Sequence, residues 1–311
     1  MAKSASLDVA GLQTSLLSWY AQNARDLPWR RTADPYAILV SEIMLQQTQV
    51  DRVIPKYLAF LEAFPTLQAL AAAEPGSVIR LWAGLGYNSR AVRLHQLAQQ
   101  VVDKHAGNLP VTVDELRSLP GIGPYTASAV ACFAFGAPSP VFDTNVYRVV
   151  SRVAFGVSAP SRHEVEPVAA ALLPAVDASA WQQGLMDVGA TICSTSSPKC
   201  MLCPLREHCQ AAPYLQSGGE RHLAEASVPY APKQSTFAGS TRYYRGRIVA
   251  ALGTLPSGTS MSLDELRRTV EDDASHDKEE GWLRGLVDRL VQDGLVRLEG
   301  EAQGTVRVTL P

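Results

Sequence analysis

The chain has little of what marks membrane, disordered or strongly basic proteins. Of its 311 residues only 7% are aromatic and 19% are charged, and 28 Lys and Arg against 30 Asp and Glu leave a formal net charge of −2. The missing basic excess excludes a supercharged nucleic-acid binder, so any contact with a nucleic acid depends on the local placement of a few arginines. The hydrophobic share of 46% is ordinary for a globular protein and excludes wholesale disorder.

Long apolar runs are also missing. The longest nearly apolar stretch, residues 127–135, contains Ser128 and is far shorter than the ~18–20 residues that span a bilayer. Residues 1–9 lack the apolar core of a signal peptide. We therefore expect a cytoplasmic protein with no membrane partner.

Period-2 alternation, the mark of half-buried strands, is rare before residue 212. Apolar residues there recur at helical spacing, for example Leu12, Leu16 and Tyr20, or Leu94, Leu97 and Val101. This part of the chain is predicted to be all-α. Residues 213–235 contain three prolines and two glycines with little periodicity, which is typical of a linker.

The remaining residues, 236–311, have a different pattern. Helical spacing recurs over 242–252, 262–270 and 278–291, and alternation follows over 295–298 and 305–309, on either side of a predicted turn. Three short helices followed by a β-hairpin predict a small winged-helix-like α+β module.

Four of the five cysteines fall within 17 residues, spaced Cys-x6-Cys-x2-Cys-x5-Cys: Cys193, Cys200, Cys203 and Cys209. Clustered thiols in a chain that is not secreted more often bind metal than form disulfides. Only Cys200 and Cys203 form a Cys-x2-Cys unit, whereas paired zinc knuckles usually have two. The residues by themselves leave zinc and a [4Fe–4S] cluster both open. The fifth thiol, Cys132, is interpreted as a core residue.

Residues 119–127 read Leu-Pro-Gly-Ile-Gly-Pro-Tyr-Thr-Ala between two helical stretches. Gly121 and Gly123 permit a tight turn with unusual dihedral angles, and Pro124 suits the first position of a helix. The backbone N–H groups of such a turn can hold a phosphate without positive side chains. The alternative is a plain connection between two helices that binds nothing.

Two carboxylates stand in unusual surroundings. Glu42 is the only ionisable group between Tyr36 and Asp51, and a desolvated carboxyl group has the raised pKa that a general acid near neutral pH needs. The alternative places Glu42 on the solvent face of an amphipathic helix. Asp143 directly precedes a helical pattern and is predicted to be its N-cap. The N–H groups that it caps would keep it ionised and able to stabilise a cation.

Together these motifs resemble the helix-hairpin-helix DNA glycosylases with an iron–sulfur cluster, the endonuclease III superfamily, over about residues 10–212. The resemblance implies a glycosylase domain, 1–212, made of a six-helix barrel (31–139) and an iron–sulfur subdomain (1–30 plus 140–212). It implies a [4Fe–4S] cluster held by the four clustered cysteines, and double-stranded DNA containing a mismatched or damaged base pair as the partner. We expect a monomer, associated with the nucleoid if the source is bacterial.

The resemblance also indicates a subtype. Bifunctional members have a catalytic Lys directly after the hairpin, where this chain has Tyr125, so we expect no strand cleavage. Residues 41–49, Ser-Glu-Ile-Met-Leu-Gln-Gln-Thr-Gln, resemble the signature of the MutY type, the adenine glycosylases of base excision repair. Residues 236–311 do not resemble the Nudix-like C-terminal domain of longer members. The resemblance therefore implies removal of adenine opposite 8-oxoguanine or guanine, and leaves open the preference between them and the role of the C-terminal module.

The family's mechanism, carried over to matching positions, has Glu42 protonate N7 of adenine while Asp143 stabilises the oxocarbenium-like sugar. Tyr125 and Asn145 would position the reacting groups. The positions implied for the base pocket and for DNA binding are Arg25, Leu27, Trp29, Gln47, Tyr87, Gly121 and Gly123. Two alternatives remain: a glycosylase that removes thymine or uracil opposite guanine, and a protein that binds DNA structures without catalysis.

Overall fold

The computed structural model describes residues 7–158, 160–216, 236–271, 281–300 and 306–311. These residues are mostly helical, and no helix among them is long and apolar enough to cross a membrane. The α-helices are α1 (Val9–Asn23), α2 (Pro35–Leu45), α3 (Val50–Ala63), α4 (Leu67–Ala72), α5 (Pro75–Trp82), α6 (Ser89–His105), α7 (Val113–Arg117), α8 (Pro124–Phe135), α9 (Thr144–Phe155), α10 (Arg162–Ala171), α11 (Ala178–Thr191), α12 (Ala212–Gln216), α13 (Thr241–Gly253), α14 (Leu263–Val270) and α15 (Trp282–Gln292). The strands are β1 (Met261–Ser262), β2 (Arg297–Glu299) and β3 (Arg307–Thr309). The all-α prediction for the larger part of the chain is confirmed.

The chain forms two compact units. The first unit comprises Met1–Ile38, Val111–Arg117 and Gly123–Tyr230, and the second comprises Leu39–Pro110, Ser118–Ile122 and Ala231–Pro311. The domain boundaries expected from the sequence, with a barrel at 31–139, stay a prediction.

The core of the first unit lies among α1, α9, α10 and α11. The stripe Val146, Val149, Val150 and Val153 recurs at three- and four-residue intervals, so α9 buries one face along its length. α1 adds Leu12 and Leu16 and α11 adds Trp181 and Leu185 to the same core. The apolar residues predicted from helical spacing are the buried ones, because each of these helices packs a single apolar face into the core.

In the second unit α3, α5 and α6 pack together around aromatic side chains. The rings of Phe60 and Trp82 meet edge to face with centroids 6.0 Å apart, and Leu94, Leu97 and Val101 of α6 are fully buried. Edge-to-face pairs of this kind add stability beyond the area they bury. The resulting scaffold carries the loops around residues 47 and 87, which bear on function.

The C-terminal module, residues 236–311, has the order α13-β1-α14-α15-β2-β3 of a winged helix. β3 pairs antiparallel with both other strands, with Val308 opposite Leu298 of β2 and Met261 of β1. The predicted hairpin is thereby confirmed, although residues 301–304 of its turn lie outside the described residues. β1 was not predicted, because two residues are too few to show a period.

Two sequence predictions at the edges of this module need correction. The linker was expected to begin at residue 213, but α12 continues to Gln216; residues 217–235 lie outside the described part of the chain. The third helix was expected over 278–291, and the structure has Trp282–Gln292, with 278–280 outside the described residues. Both boundaries fall where apolar periodicity is weak, so pattern alone does not fix them.

Within the second unit the module packs directly on α5. Ile79 of α5 belongs to the same buried core as Tyr244, Ile248 and Leu290 of the module. The Gly76 N–H also donates to the carbonyl oxygen of the last residue, Pro311, at 2.7 Å. The module is therefore fixed on the helices that precede it by a shared apolar core.

Candidate functional site

Glu42 lies on α2 and is buried, with 6% of its surface exposed. The neighbouring residues Ser41, Ile43 and Met44 are buried as well, because α2 is apolar on nearly every side. The alternative that placed Glu42 on a solvent face is wrong. A carboxyl group that is buried among apolar side chains can serve as a proton donor in a site with little water.

The turn between α7 and α8 has the predicted geometry in part. Gly121 adopts a left-handed φ of 77°, which favours glycine, whereas Gly123 is extended with a φ of −89°. The unusual dihedral angle that the turn was expected to permit is therefore found at Gly121 and not at Gly123. A Cβ at Gly123 would meet no atom within 4 Å, so the space in front of this N-cap is open. Pro124 occupies the first turn of α8, as predicted.

Tyr125, the second residue of α8, packs partly buried against Ala129, Cys132, Val141 and Ala178. Cys132 is fully buried in this small cluster, which confirms its interpretation as a core thiol. Burial raises the pKa of the Cys132 thiol to about 12, so it stays protonated and unreactive at neutral pH.

Asp143 is the N-cap of α9, as predicted. Its Oδ1 accepts from the Val146 N–H at 2.7 Å, and its Oδ2 accepts from Asn145 Nδ2 at 3.0 Å. Desolvation raises the pKa of the Asp143 carboxyl, and the hydrogen bonds from Val146 and Asn145 and the charge of Arg148 act in the opposite direction. Desolvation is the larger effect, so the pKa of Asp143 is raised overall.

Arg148 connects this carboxylate to the cysteine loop. Its Nη2 donates to Asn145 Oδ1 at 2.8 Å and to the Gly189 carbonyl at 2.7 Å, and its Nε donates to the Cys193 carbonyl at 2.7 Å. A Cβ on Gly189 would lie 2.5 Å from the Cβ of Asn145, so α11 approaches α9 closely only because residue 189 is glycine. The position of Asn145 therefore depends on both α11 and the start of the cysteine loop.

The segment that carries Arg25, Leu27 and Trp29 is held by Asp187 of α11. The Asp187 carboxylate is fully buried and accepts from the Arg25 N–H at 3.0 Å and from Arg30 Nη1 at 2.6 Å. Desolvation by itself would raise the pKa of Asp187, but the bonds and charges of Arg30 and Arg25 outweigh it and hold this pKa below its usual range. Leu27 and Trp29 are buried. Asp187 thus orders the whole segment expected to line a base pocket.

Gln47 and Tyr87 come together in the second unit, where one pocket has both in its wall. Both have left-handed backbone conformations, with φ of 56° and 47°, which cost about 1–3 kcal/mol each for residues other than glycine. Tyr87 is 43% exposed. Exposed residues with a strained backbone of this kind need rigid support from the residues behind them.

That support is Arg90, a buried residue of α6. Its guanidinium donates to the carbonyls of Ile43, Met44 and Gln46 before Gln47, at 2.7 to 3.0 Å, and to the carbonyl of Gly86 before Tyr87, at 3.0 Å. Burial lowers the pKa of Arg90 to about 10, and Tyr87 acts against that shift. Arg90 remains charged at neutral pH and ties both loops to one point.

The four clustered cysteines line one small cavity in the first unit, together with Arg152 and Arg206. Arg152 is buried, and its Nη1 lies 3.2 Å from Cys193 Sγ while donating to the Ser194 carbonyl at 2.8 Å. Burial, with the other thiols adding to it, raises the pKa of Cys203 to about 12, and burial and the neighbouring thiols raise that of Cys209 to about 11. Thiols with pKa values this high stay protonated at neutral pH, and a bound metal favours the thiolate because its positive charge stabilises that form.

Within the described residues, no group of three or more His, Cys, Asp or Glu side chains is placed to hold a single metal ion. The four thiols nevertheless face the same cavity, and cationic side chains stand beside them.

Sequence reasoning missed three arginines and one aspartate that position the candidate site: Arg90, Arg148, Arg152 and Asp187. One signal was available for Arg90. It continues the apolar stripe Leu94, Leu97 and Val101 of α6, and a charge on a buried face demands a structural reason. Four of the residues that Arg90 binds are 42 to 47 residues distant in sequence, and the arginines that bind Asp187 are 157 and 162 residues distant, so no local pattern identifies these distant partners.

Comparisons with known proteins give a consistent result. A family model described as HhH-GPD superfamily base excision DNA repair protein matches residues 40–175. An adenine DNA glycosylase of Mycolicibacterium smegmatis is 43% identical over 296 residues, which cover 93% of this chain and 96% of that relative. Only 7% of the chain lies outside this match, so it includes most of residues 236–311.

Two solved structures are similar to the larger part of the chain. A thermostable thymine-DNA glycosylase has 29% identity and a TM-score of 0.61, covering 66% of this chain and 97% of that one. A trapped endonuclease III–DNA covalent intermediate has 26% identity and a TM-score of 0.57, covering 68% of this chain and 99% of that one.

Proposed function

This chain belongs to the HhH-GPD superfamily of base excision DNA repair proteins and is a DNA glycosylase, and from that premise we propose that it removes adenine from duplex DNA. The bond cleaved is the N-glycosidic bond of adenine paired with 8-oxoguanine or guanine. The observation that carries the proposal is the 43% identity to an adenine DNA glycosylase along 96% of that relative's length. The products are free adenine and an abasic site.

Glu42 is the proposed general acid. Protonation of adenine at N7 makes the base a better leaving group, and the donor must still hold its proton near neutral pH. The burial of Glu42 among the apolar side chains of α2 supports this role. Protonation of a purine is also the step that a thymine-removing enzyme would not need.

Asp143 is the proposed partner of the developing sugar cation. A carboxylate bound by the Val146 N–H and by Asn145 is held in one orientation, and its charge stabilises an oxocarbenium-like sugar as the bond breaks. Water then adds to the sugar. Tyr125 stands where bifunctional relatives have a lysine, so the reaction ends at the abasic site without strand cleavage.

Three parts of the protein are proposed to contact DNA. Leu27, Trp29 and Arg25 form the base pocket, ordered by Asp187. Gln47 and Tyr87 enter the duplex where the base has left the stack, a step that costs a few kcal/mol and that the rigid support from Arg90 favours. The turn at Gly121 and Gly123 and the N-terminus of α8 hold a phosphate of the backbone.

A [4Fe–4S] cluster is proposed for the cavity lined by Cys193, Cys200, Cys203 and Cys209. A single zinc ion requires four ligand sulfurs about 2.3 Å from one centre, whereas a cluster spreads its four ligands around a larger core. The cysteine spacing that resembles the iron–sulfur glycosylases, and the one cavity that the four thiols line, support the cluster. When bound, the cluster would cross-link the four cysteines of this loop and add charge to it. Arg148 connects the loop to Asn145.

The proposal is tested with end-labelled duplexes that contain A opposite 8-oxoguanine, A opposite guanine, and T or U opposite guanine. Abasic sites are revealed by alkali after incubation with the protein. We expect cleavage of the A strand, and only after alkali. Cleavage restricted to the T or U strand would instead select the mismatch glycosylase that the thymine-DNA glycosylase likeness favours.

The Glu42→Gln variant separates catalysis from binding. It keeps the size of the side chain and removes the acidic proton, so excision should be abolished while duplex binding stays within a few-fold of wild type. Near-normal turnover by this variant would contradict the assignment of the general acid. If the wild type binds these duplexes but excises no base from any of them, the result would favour the alternative of a protein that binds DNA structures without catalysis.

A further inference from the structure

A pocket of about 480 Å³ lies in the second unit, where the C-terminal module meets the loops of Gln47 and Tyr87. Its volume falls within the range of about 300–1,000 Å³ that is typical of ligand sites. The helices and loops of the glycosylase part contribute Gln47, Arg52 and Tyr87 to its wall, and the module contributes Phe237, Arg242 and Arg245. Neither part forms the pocket without the other.

The charge of this pocket is of one sign. Arg52, Arg242 and Arg245 line it, and among the described residues none of those lining it carries a carboxylate. Asp293, which stands outside the lining, pairs with Arg245 and offsets part of that charge. Arginines grouped in this way bind phosphate oxygens, often two at a time.

The pocket also presents aromatic surface. Phe237 is 61% exposed, yet its ring meets Tyr243 edge to face at 5.6 Å and lies under the Arg242 guanidinium at 6.0 Å. Tyr87, which also lines the pocket, is 43% exposed, and the Arg90 guanidinium lies 5.6 Å from its ring centroid. Exposed rings held in place by their neighbours are stacking surfaces for nucleobases.

Aromatic surface beside phosphate-binding arginines is the chemistry that recognises a nucleotide. We propose that this pocket receives one nucleotide of the bound duplex, and that residues 236–311 thereby form part of the DNA-reading surface. The inference rests on the proposed function, because Gln47 and Tyr87 are taken there as the side chains that enter the duplex. A nucleotide adjoining the gap that they fill is the one within reach.

Gly246 of α13 allows the pocket to be filled without disturbing the fold. It lines the pocket, and a Cβ built on it meets no atom within 4 Å. Leucine also favours helices over glycine, so Gly246→Leu should fold while blocking the cavity. Gly285 of α15 is a matched control, because its Cβ would also meet open space and it does not line the pocket.

The test measures duplex binding by fluorescence anisotropy with full-length protein in the Glu42→Gln background. We expect Gly246→Leu and Phe237→Ala to raise the Kd for a duplex with A opposite 8-oxoguanine by roughly tenfold, the contribution of about one stacked base. Gly285→Leu should leave this Kd unchanged. Because no turnover is required, the result is informative even if the wild type excises no adenine.

Two outcomes would overturn the inference. One is a Kd for Gly246→Leu equal to that of the control, which would mean that no part of the duplex enters the pocket. The other comes from calorimetry with deoxyguanosine monophosphate. If Gly246→Leu removes binding of this free nucleotide but leaves duplex binding intact, the pocket is a site for free nucleotides and not for DNA.

Discussion

Arg30 and Asp187 form a bidentate ion pair across 157 residues of sequence, with Nη1–Oδ2 and Nη2–Oδ1 distances of 2.6 and 2.9 Å. The carboxylate is fully buried and the Arg30 side chain is 11% exposed. Planar arginine matches a carboxylate in this geometry better than lysine does. The pair fixes Leu27 and Trp29, which lie between Arg25 and Arg30 in sequence.

Replacement of Asp187 should therefore cost both stability and activity. Asp187→Asn leaves Arg30 buried without its counter-charge, a loss of about 3 kcal/mol in the free energy of unfolding, measurable by urea denaturation. Asp26→Asn is the control, because the Asp26–Arg31 pair on the same segment is largely exposed; its midpoint should match wild type. Equal midpoints for Asp187→Asn and wild type would show that the pair does not stabilise the segment.

The same pair predicts a pH dependence. The pKa of folded Asp187 is lowered below its unfolded value near 3.8, so its stabilising effect is fully present above that value and is lost as the pH falls through the folded pKa. The difference in stability between wild type and Asp187→Asn should be constant from pH 7 down to about 5 and shrink below about pH 4. Thermal midpoints across this range measure it. A difference that grows on acidification would contradict the sign.

Asn145 should tune the charge of Asp143. Its amide donates to the carboxylate and favours the ionised form, so Asn145→Ala should raise the pKa of Asp143. In the proposed mechanism excision needs the ionised carboxylate, so the rising acid limb of the single-turnover rate should move to higher pH. Asn23→Ala, on the exposed end of α1, should leave the profile in place. A uniform fall in rate without a shift would exclude this role.

The two kinds of cysteine should respond differently to the same change. Cys203→Ala removes a proposed ligand, so the purified protein should lose most of its roughly four iron atoms per chain and its visible absorbance. Cys132→Ala changes a buried thiol in another part of the first unit and should keep both. Metal analysis and spectra of proteins purified without oxygen measure the difference. Zinc in the wild type, in place of iron, would contradict the cluster.

Gly76 should report on how the C-terminal module is fixed. A Cβ there would lie 2.7 Å from the carbonyl oxygen of Pro311, which Gly76 itself binds. Gly76→Ala should therefore destabilise by about 1–3 kcal/mol and speed amide exchange in residues 306–311. Gly253→Ala, whose Cβ meets its nearest atom at 3.9 Å, should be neutral or stabilising. Identical exchange in the two variants would show that this contact does not hold the module.

The helical class, the winged-helix order and the N-cap at Asp143 are all predicted from sequence because each depends on residues within one or two turns of one another. Apolar periodicity marks the buried face of α9, and an Asp before a helix finds its partners among the next three residues. The two hairpin glycines differ in their backbone conformation. Only Gly121 needs a left-handed backbone, since open space, not the dihedral angle, explains Gly123.

The sequence by itself predicted which residues would do chemistry here: two carboxylates, four spaced thiols and a hairpin, each recognisable from local spacing. The tertiary structure decided what holds them. Arg90 reaches two loops 40 residues apart, Asp187 gathers Arg25 and Arg30, and the C-terminal module shares the core of α5 beside Gln47 and Tyr87. Buried charges find their partners, and pockets their lining residues, in parts of the chain that are distant in sequence. Local spacing therefore does not predict them.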